Sequence, residues 1–291
     1  MAAHTTTPEI SLRLLRATDL AFADSLRDLA GWNQTLNDWQ TFLALSPQGC
    51  FLAEWNGSPA GTATTICYGQ DLAWIGMLLV HPDFRKQGIG HALLARCLEH
   101  LKAAGIRAIK LDATPEGRVL YERFGFRAEC SIKRCEMRDI TYPSANHSTG
   151  IRFYSETDAA LLEQCDAKVF GASRELLLQD LLTESSKAIV HQSNTGLDGY
   201  GILRTGARAL YLGPLIAETS HSAKLLVSGL LANAVGQRIF WDVPQANPAA
   251  ISIANALGFT PLRPLIRMVL GEASPPVAWD RYFGIADPAT G

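Results

Sequence analysis

The first half of the chain changes its hydrophobic period several times. Ile10 to Leu14 alternates with period two and predicts a strand. Thr18-Asp19 has N-cap chemistry, and the apolar stripe after it predicts a helix through Leu29. A second helix is expected from Asn37 or Asp38 to Leu45, stopped by Pro47. Cys50 to Glu54 and Gly61 to Tyr68 predict a hairpin turning at Asn56-Gly57. Trp74 to Val80 is a continuous apolar run, the pattern of a buried strand. From His91 to Ala104 the residues Leu93, Leu94, Cys97, Leu98 and Leu101 share one helical face, with Gly105 beyond its end. Ile109 to Leu111 predicts a strand, and Val119 to Phe124 a helix capped by Gly125, before a last strand. This order of elements describes a mixed α/β fold.

The same series recurs. Arg13-Leu-Leu-Arg-Ala-Thr18-Asp19 is echoed by Arg152-Phe-Tyr-Ser-Glu-Thr157-Asp158, an offset of 139 residues. Trp74 to Val80 is echoed by Tyr211 to Ala217 at an offset of 137, Leu111-Asp112 by Trp241-Asp242, and Phe124-Gly125-Phe126 by Leu257-Gly258-Phe259 at 133. So long a period fits a duplicated domain and not a solenoid. The expected domains are residues 1–142 and 150–291. The polar stretch Tyr142 to Gly150 reads as the linker, and the last 20 residues, with Pro275, Pro276 and Pro288, as a docked or frayed tail.

Composition narrows the class. The 291 residues are 47% apolar and 19% charged, which suits soluble globular domains. A net charge of −2 lacks the footprint of a nucleic-acid binder. No apolar run is long enough to span a bilayer, and the first residues have neither a basic nor an apolar leader segment, so a cytoplasmic protein is expected. The six cysteines contain no C-x-x-C pair and imply no metal site.

The richest chemistry lies in Leu79-Val80-His81-Pro82-Asp83-Phe84-Arg85-Lys86-Gln87-Gly88-Ile89-Gly90-His91. A buried strand ends, a basic loop follows, and two glycines open a helix. Free N–H groups and the dipole of a first helical turn bind anions, and glycines let a phosphate approach the backbone. The Gly-Lys-Ser/Thr of a P-loop is missing. A dinucleotide fingerprint lacks its third glycine, although Asp112, 22 residues after Gly90, stands where a ribose-binding acid would. A nicotinamide-dependent oxidoreductase therefore stays open as an alternative.

Arg85-x-x-Gly88-x-Gly90 after a strand ending Val80-x-Pro82 resembles the acyl-CoA pyrophosphate loop of the GNAT acetyltransferases, over about residues 10–140. Leu120-Tyr121-Glu122-Arg123-Phe124-Gly125-Phe126 resembles that family's Tyr-x-x-x-Gly-Phe segment, and Ala30 to Thr35 with Asp38-Trp39 resembles a subgroup with two such domains in tandem. The resemblance implies a strongly twisted mixed sheet whose fourth and fifth strands splay around the pantetheine arm of acetyl-CoA, the co-substrate, with no metal. It implies that Leu78, Leu79 and Val80 face the pantetheine and that Arg85, Lys86, Gln87, Gly88, Ile89, Gly90 and His91 surround the pyrophosphate. It implies transfer of an acetyl group to a primary amine, with the Leu79 N–H as oxyanion donor and Tyr121 as acid to the departing thiolate.

No acid lies within Trp74 to Val80, so the base is undecided between Asp71, Asp112 and ordered water, with His81 as a possible shuttle. Asp112 reads equally as a strand-end cap. Trp32, Asn33, Asp38 and Trp39, between the first two helices, are candidates for holding a cationic amine by cation–π contact and ion pairing. Asp242 of the second half is a further candidate, with Asn247 and Asn255 behind it. The second half lacks the glycine cradle: Ile216 to Lys224 contains no glycine and no arginine, and Glu218 would repel a phosphate. That half is expected to bind no CoA. The expected partner is a small-molecule amine, met by a monomer or homodimer with no nucleic acid and no membrane. An acyl-CoA sensor without turnover is the other alternative.

Overall fold

The structure, a computed structural model, describes residues 9–138, 150–194, 196–232, 234, 236–271 and 275–291. All but Gly150 of the expected linker therefore lies outside the described residues. The first half runs β1 (Ile10–Leu14), α1 (Leu20–Leu29), α2 (Leu36–Leu45), β2 (Cys50–Trp55), β3 (Ser58–Tyr68), β4 (Leu72–Val80), α3 (Ile89–Ala103), β5 (Ala108–Ala113), α4 (Pro115–Arg123) and β6 (Arg127–Met137). The second repeats it as β7 (Ile151–Phe153), α5 (Ala159–Phe170), α6 (Glu175–Thr183), β8 (Ser185–Ser193), β9 (Gly196–Arg204), β10 (Leu210–Ala217), α7 (Ser220–Leu231), β11 (Ile239–Pro244), α8 (Pro248–Ala256) and β12 (Thr260–Leu270), then adds β13 (Tyr282–Gly284).

Local chemistry sets the boundaries. Asn56 and Gly57 both take positive φ, 50° and 79°, as a tight two-residue hairpin turn requires. Thr35 and Asp38 cap each other's backbone N–H groups, which starts α2 at Leu36. α4 begins at Pro115, four residues before the apolar stripe, because Thr114 caps the Gly117 N–H and proline suits the first turn. The echoed Arg–Asp segments do the same work in both halves. Arg13 forks onto both oxygens of Asp19 (2.7 and 2.9 Å), and Arg152 onto both of Asp158 (2.6 and 2.6 Å), tying each first strand to the helix after it.

Among the described residues the sheet has 13 strands, and twelve lie in the order β1-β2-β3-β4-β5-β12-β6-β11-β10-β9-β8-β7, with β13 pairing β10. The two halves exchange their last strands. β12 pairs antiparallel with β5 of the first half, and β6 pairs antiparallel with β11 of the second. Each lobe of the sheet is thus completed by a strand from the other half of the sequence, and β12 pairs with β6 between them.

A buried ion pair sits at each junction. Arg267 of β12 stands opposite Asp112 of β5 and donates to both its oxygens at 2.9 Å. Arg134 of β6 stands opposite Asp242 of β11 and donates to both its oxygens at 2.8 and 2.5 Å. The side chains of Asp112, Arg267 and Asp242 are fully buried and that of Arg134 nearly so. Burial opposes the Arg267 charge, but attraction and hydrogen bonding from Asp112 more than offset it, and its pKa is raised. Indole and phenyl rings cover the guanidinium groups: Arg267 lies 4.4 Å from the Trp74 ring centre and Arg134 5.4 Å from that of Phe240.

The tail is docked, not frayed. Residues Ile285, Ala286 and Ala289 are buried, and the carbonyls of Pro288 and Thr290 accept from Trp74 Nε1 (3.0 Å) and the Tyr68 hydroxyl (2.6 Å). Removing one partner of a buried pair leaves an uncompensated charge, which costs about 3–5 kcal/mol, whereas an apolar pair of similar volume costs little. Arg267→Met should lower unfolding free energy in urea by that amount, and Arg267→Met with Asp112→Leu should recover most of it. Equal loss in the single and double variants would contradict this reading.

Candidate active site

β4 and β5 run parallel and pair only from Leu72–Ala108 to Trp74–Lys110. Beyond Trp74 they diverge, and a cleft open to solvent, with about 450 Å³ of empty space when its open mouth is included, lies in the gap. Ile75, Gly76, Met77 and Leu78 of β4 form one wall, and Leu111, Asp112, Thr114 and Tyr121 another. Trp32 and Gln34, from the loop between α1 and α2, close one side. The strand exchange brings Arg263 and Leu265 of β12, and the docked tail adds Pro288 and Ala289. Arg134 of β6 also reaches the lining.

β4 carries a bulge where it leaves β5. The register with β3 runs from Thr64–Gly76 to Thr62–Leu79, so Met77 and Leu78 share the single residue Ala63. Met77 takes the left-handed conformation (φ 47°), and the buried Thr62 hydroxyl donates to its carbonyl at 2.9 Å. A side chain at Gly76 would meet the Ala289 carbonyl oxygen at 2.5 Å, so glycine there lets the tail lie against the strand.

The loop after β4 is exposed through Arg85, Lys86, Gln87 and Gly88. Gly88 is left-handed (φ 87°) and precedes α3, whose first helical bond after it runs from the Ala92 N–H to the Gly88 carbonyl (3.0 Å). The N–H groups of Ile89, Gly90 and His91 therefore have no intrahelical acceptor. Side chains at Gly88 or Gly90 would meet nothing closer than 3.6 Å, so these glycines keep the surface above the helix open. Arg85 Nε is held by the Val80 carbonyl (3.3 Å), the His81 ring accepts from the Asp83 N–H (3.4 Å), and the His91 ring packs on Phe124 at 4.7 Å.

The acetyltransferase (GNAT) family signature matches residues 16–126, and an acetyltransferase (GNAT) domain signature matches residues 162–284. The chain belongs to the GNAT acetyltransferases. It carries two of their domains, in line with the duplication. It is similar to an uncharacterized N-acetyltransferase, YitH, of Bacillus subtilis (28% identical over 190 residues, 65% of this chain and 66% of that one). It is also similar to Holothin acyltransferase of a Pseudoalteromonas species (25% identical over 243 residues, 83% of this chain and 81% of that one). A crystal structure assigned to the acetyltransferases, from Pyrococcus horikoshii, superposes with a TM-score of 0.83 at 23% identity, covering 100% of this chain and 99% of that one. A tandem GNAT protein from the clavulanic acid biosynthesis pathway gives 0.63 at 17% identity, covering 92% and 100%.

The second GNAT domain has the same splay and fills it. β10 and β11 pair only over Leu210–Leu212, but β13 then pairs with β10 on the vacated side. The Phe283 carbonyl accepts from Trp241 Nε1 (3.0 Å), and the Ile285 N–H donates to the Asp242 carbonyl (3.2 Å). The turn from β10 to α7 holds only Glu218 and Thr219, where the first domain has eight residues and a left-handed glycine. Glu218 is paired with Arg281 (3.1 Å).

The structure sorts the sequence-predicted residues. Tyr121, Trp32 and Leu78 line the cavity, and Val80 leads into the glycine loop; Leu79 is buried and is not part of the lining. Asp112 lines the cavity with both oxygens engaged by Arg267, which fits the structural reading of this residue more than that of a free base. Asp71 precedes β4 at the far end of the strand and pairs with Arg107. Asn33 does not face the cavity; its side chain bonds the backbone of Arg208 and Ala209 and ties the two domains together. Asp38 caps α2 and pairs with Arg204 (3.1 Å), Trp39 is core, and Asp242 is locked to Arg134. The binding of a cationic amine by Trp32, Asp38 and Trp39 thus loses its carboxylate. Gln34, Thr114 and Arg263 were missed: Gln34 was passed over within its motif in favour of Trp32 and Asn33, no motif marks Thr114, and Arg263 reaches the site only through the strand exchange.

One filled gap and one open gap make a stoichiometric prediction. Calorimetric titration should give one acetyl-CoA bound per chain, and two per chain would contradict the assignment of β13 as a plug.

Proposed function

We propose that the first domain transfers an acetyl group from acetyl-CoA to a primary amine of a small molecule. The observation that carries this is the proximity of three features: the N–H groups after Gly88 that lack intrahelical acceptors, the β4–β5 gap whose Leu78 lies beside Gly90, and Tyr121 on the cavity wall. The loop N–H groups of Ile89, Gly90 and His91 suit the pyrophosphate, with Arg85 and Lys86 adding charge at the rim. The gap suits an extended pantetheine arm lying along Leu78 to Val80.

The bulge favours Leu78 over Leu79 as the oxyanion donor. The His81 N–H donates to Ala60, and the Thr65 N–H donates away from β4 to Gly49, both at 2.8 Å. The register sets Leu79 opposite Thr62 and Gly76 opposite Thr64, so Met77 and Leu78 together face Ala63 where the regular ladder is interrupted, and of the bulge's neighbours Leu78, not Leu79, lines the cavity. A backbone N–H released from the ladder at the cavity wall would suit the charge that develops on a thioester oxygen.

Tyr121 is buried against Phe126 (ring centres 6.0 Å apart), and burial pushes its phenol pKa up. The hydroxyl therefore keeps its proton across the working pH range, as an acid to a departing thiolate must. With Asp112 pinned, no lining carboxylate is free among the described residues, and solvent water is the route by which the amine loses its proton.

CoA release on a panel of amines tests the reading. Turnover with at least one amine supports it; stabilisation by acetyl-CoA without release on any amine would instead favour a sensor. Tyr121→Phe should lower kcat by about 10²-fold or more, the usual contribution of a positioned acid, while acetyl-CoA affinity changes less than about two-fold. An unchanged kcat would remove Tyr121 from the chemistry.

A further inference from the structure

The charges around the cavity do not balance. Asp112 is neutralised by Arg267 and Arg134 by Asp242, each through two hydrogen bonds. Arg263 remains. It lines the cavity and has no hydrogen-bond or ion-pair partner among the described residues. It also stands directly across from Arg134 in the β12–β6 ladder, a like-charge neighbour whose effect on Arg263 the Asp242 carboxylate offsets only in part. Burial and the Arg134 charge both work against the ionised Arg263, which lowers its pKa from the usual range.

A second group in the same cavity is unsatisfied. Gln34 is buried, and its Nε2 donates to Asp287 Oδ1 at 2.8 Å. That bond fixes the amide, and Oε1 is left as a buried acceptor with no partner. A donor belongs there, and the N–H of an amine is one.

We propose that the acceptor is an amine that also carries a carboxylate, with Arg263 binding the carboxylate and Gln34 Oε1 receiving the amine N–H. This deepens the acyl-transfer reading and rests on it. The guanidinium fork matches a carboxylate through two parallel hydrogen bonds. The same positive charge disfavours a second cation nearby, so it shifts a bound ammonium toward the neutral amine that attacks. Attack forms the N–C bond on the acetyl carbon and breaks the C–S bond. The amine proton passes to water and the CoA sulfur takes up a proton from Tyr121, which water restores.

The test compares three acceptors of one carbon skeleton: an α-amino carboxylate, its carboxamide and the corresponding amine lacking either group. CoA release is measured for the native chain, Arg263→Gln and Arg263→Lys, with thermal melts to verify folding. The native chain should prefer the carboxylate. In Arg263→Gln the ratio of kcat/KM for carboxylate over carboxamide should fall by about 10–100-fold, as losing a charged hydrogen-bonding partner predicts, chiefly through KM. Arg263→Lys should restore part of the ratio. An unchanged ratio, or a native preference for the amine without an anionic group, overturns the assignment and leaves acyl transfer standing. No CoA release on any amine overturns both.

Discussion

The guanidinium of Arg267 and the carboxylate of Asp112 are 155 residues apart in the chain and meet in a place where neither could stay charged alone. Arg134 and Asp242 repeat the arrangement at the other junction. Because each pair crosses between halves of the sequence, separating the halves would expose two half-pairs as well as two unpaired sheet edges. Breaking a buried pair costs more than making it contributes, so the pairs act less as glue than as a register lock. β12 sits on β5 with Arg267 opposite Asp112, and any slip by one residue would turn both charges onto the wrong face. The position of Arg263 follows from that lock, and so does the wall that β12 supplies to the cavity.

Much of this was legible along the chain. The echo of Arg13 and Asp19 in Arg152 and Asp158 reflects the same fork in both halves, and the echo of Leu111-Asp112 in Trp241-Asp242 marks the acids of the two buried pairs. The strand exchange was not legible, for a physical reason. Arg134 and Arg267 occupy equivalent positions of the repeat, so Asp112 would find the same partner chemistry in an exchanged and in a closed arrangement. Local pattern reports the pairing of residue types and is blind to which copy supplies the strand. The mistaken candidates follow the same logic. Asn33, Asp38 and Asp242 are polar residues near a site by sequence, but each satisfies backbone or charge elsewhere, which only the tertiary contacts reveal.

Duplication created two equivalent gaps, and the tail distinguishes them. The segment after β12 fills the second gap with β13 and then passes into the wall of the first, where Ala289 packs on Gly76. One piece of chain thus closes one site and shapes the other. The open gap keeps the parts that suit acyl transfer: a helix N-terminus cleared by glycine, a bulge at Met77 and Leu78, and a buried phenol. What the second domain contributes is charge and shape, through Arg263 and Leu265.

The exchange is the claim on which the composition of the cavity depends, and main-chain proton contacts read it directly. Nuclear Overhauser effects should link the α-protons and amides of residues 108–113 with those of residues 266–270, and those of residues 239–244 with residues 132–137. Contacts from residues 108–113 to residues 132–137 in their place would mean that each domain closes on its own last strand, and would contradict the account.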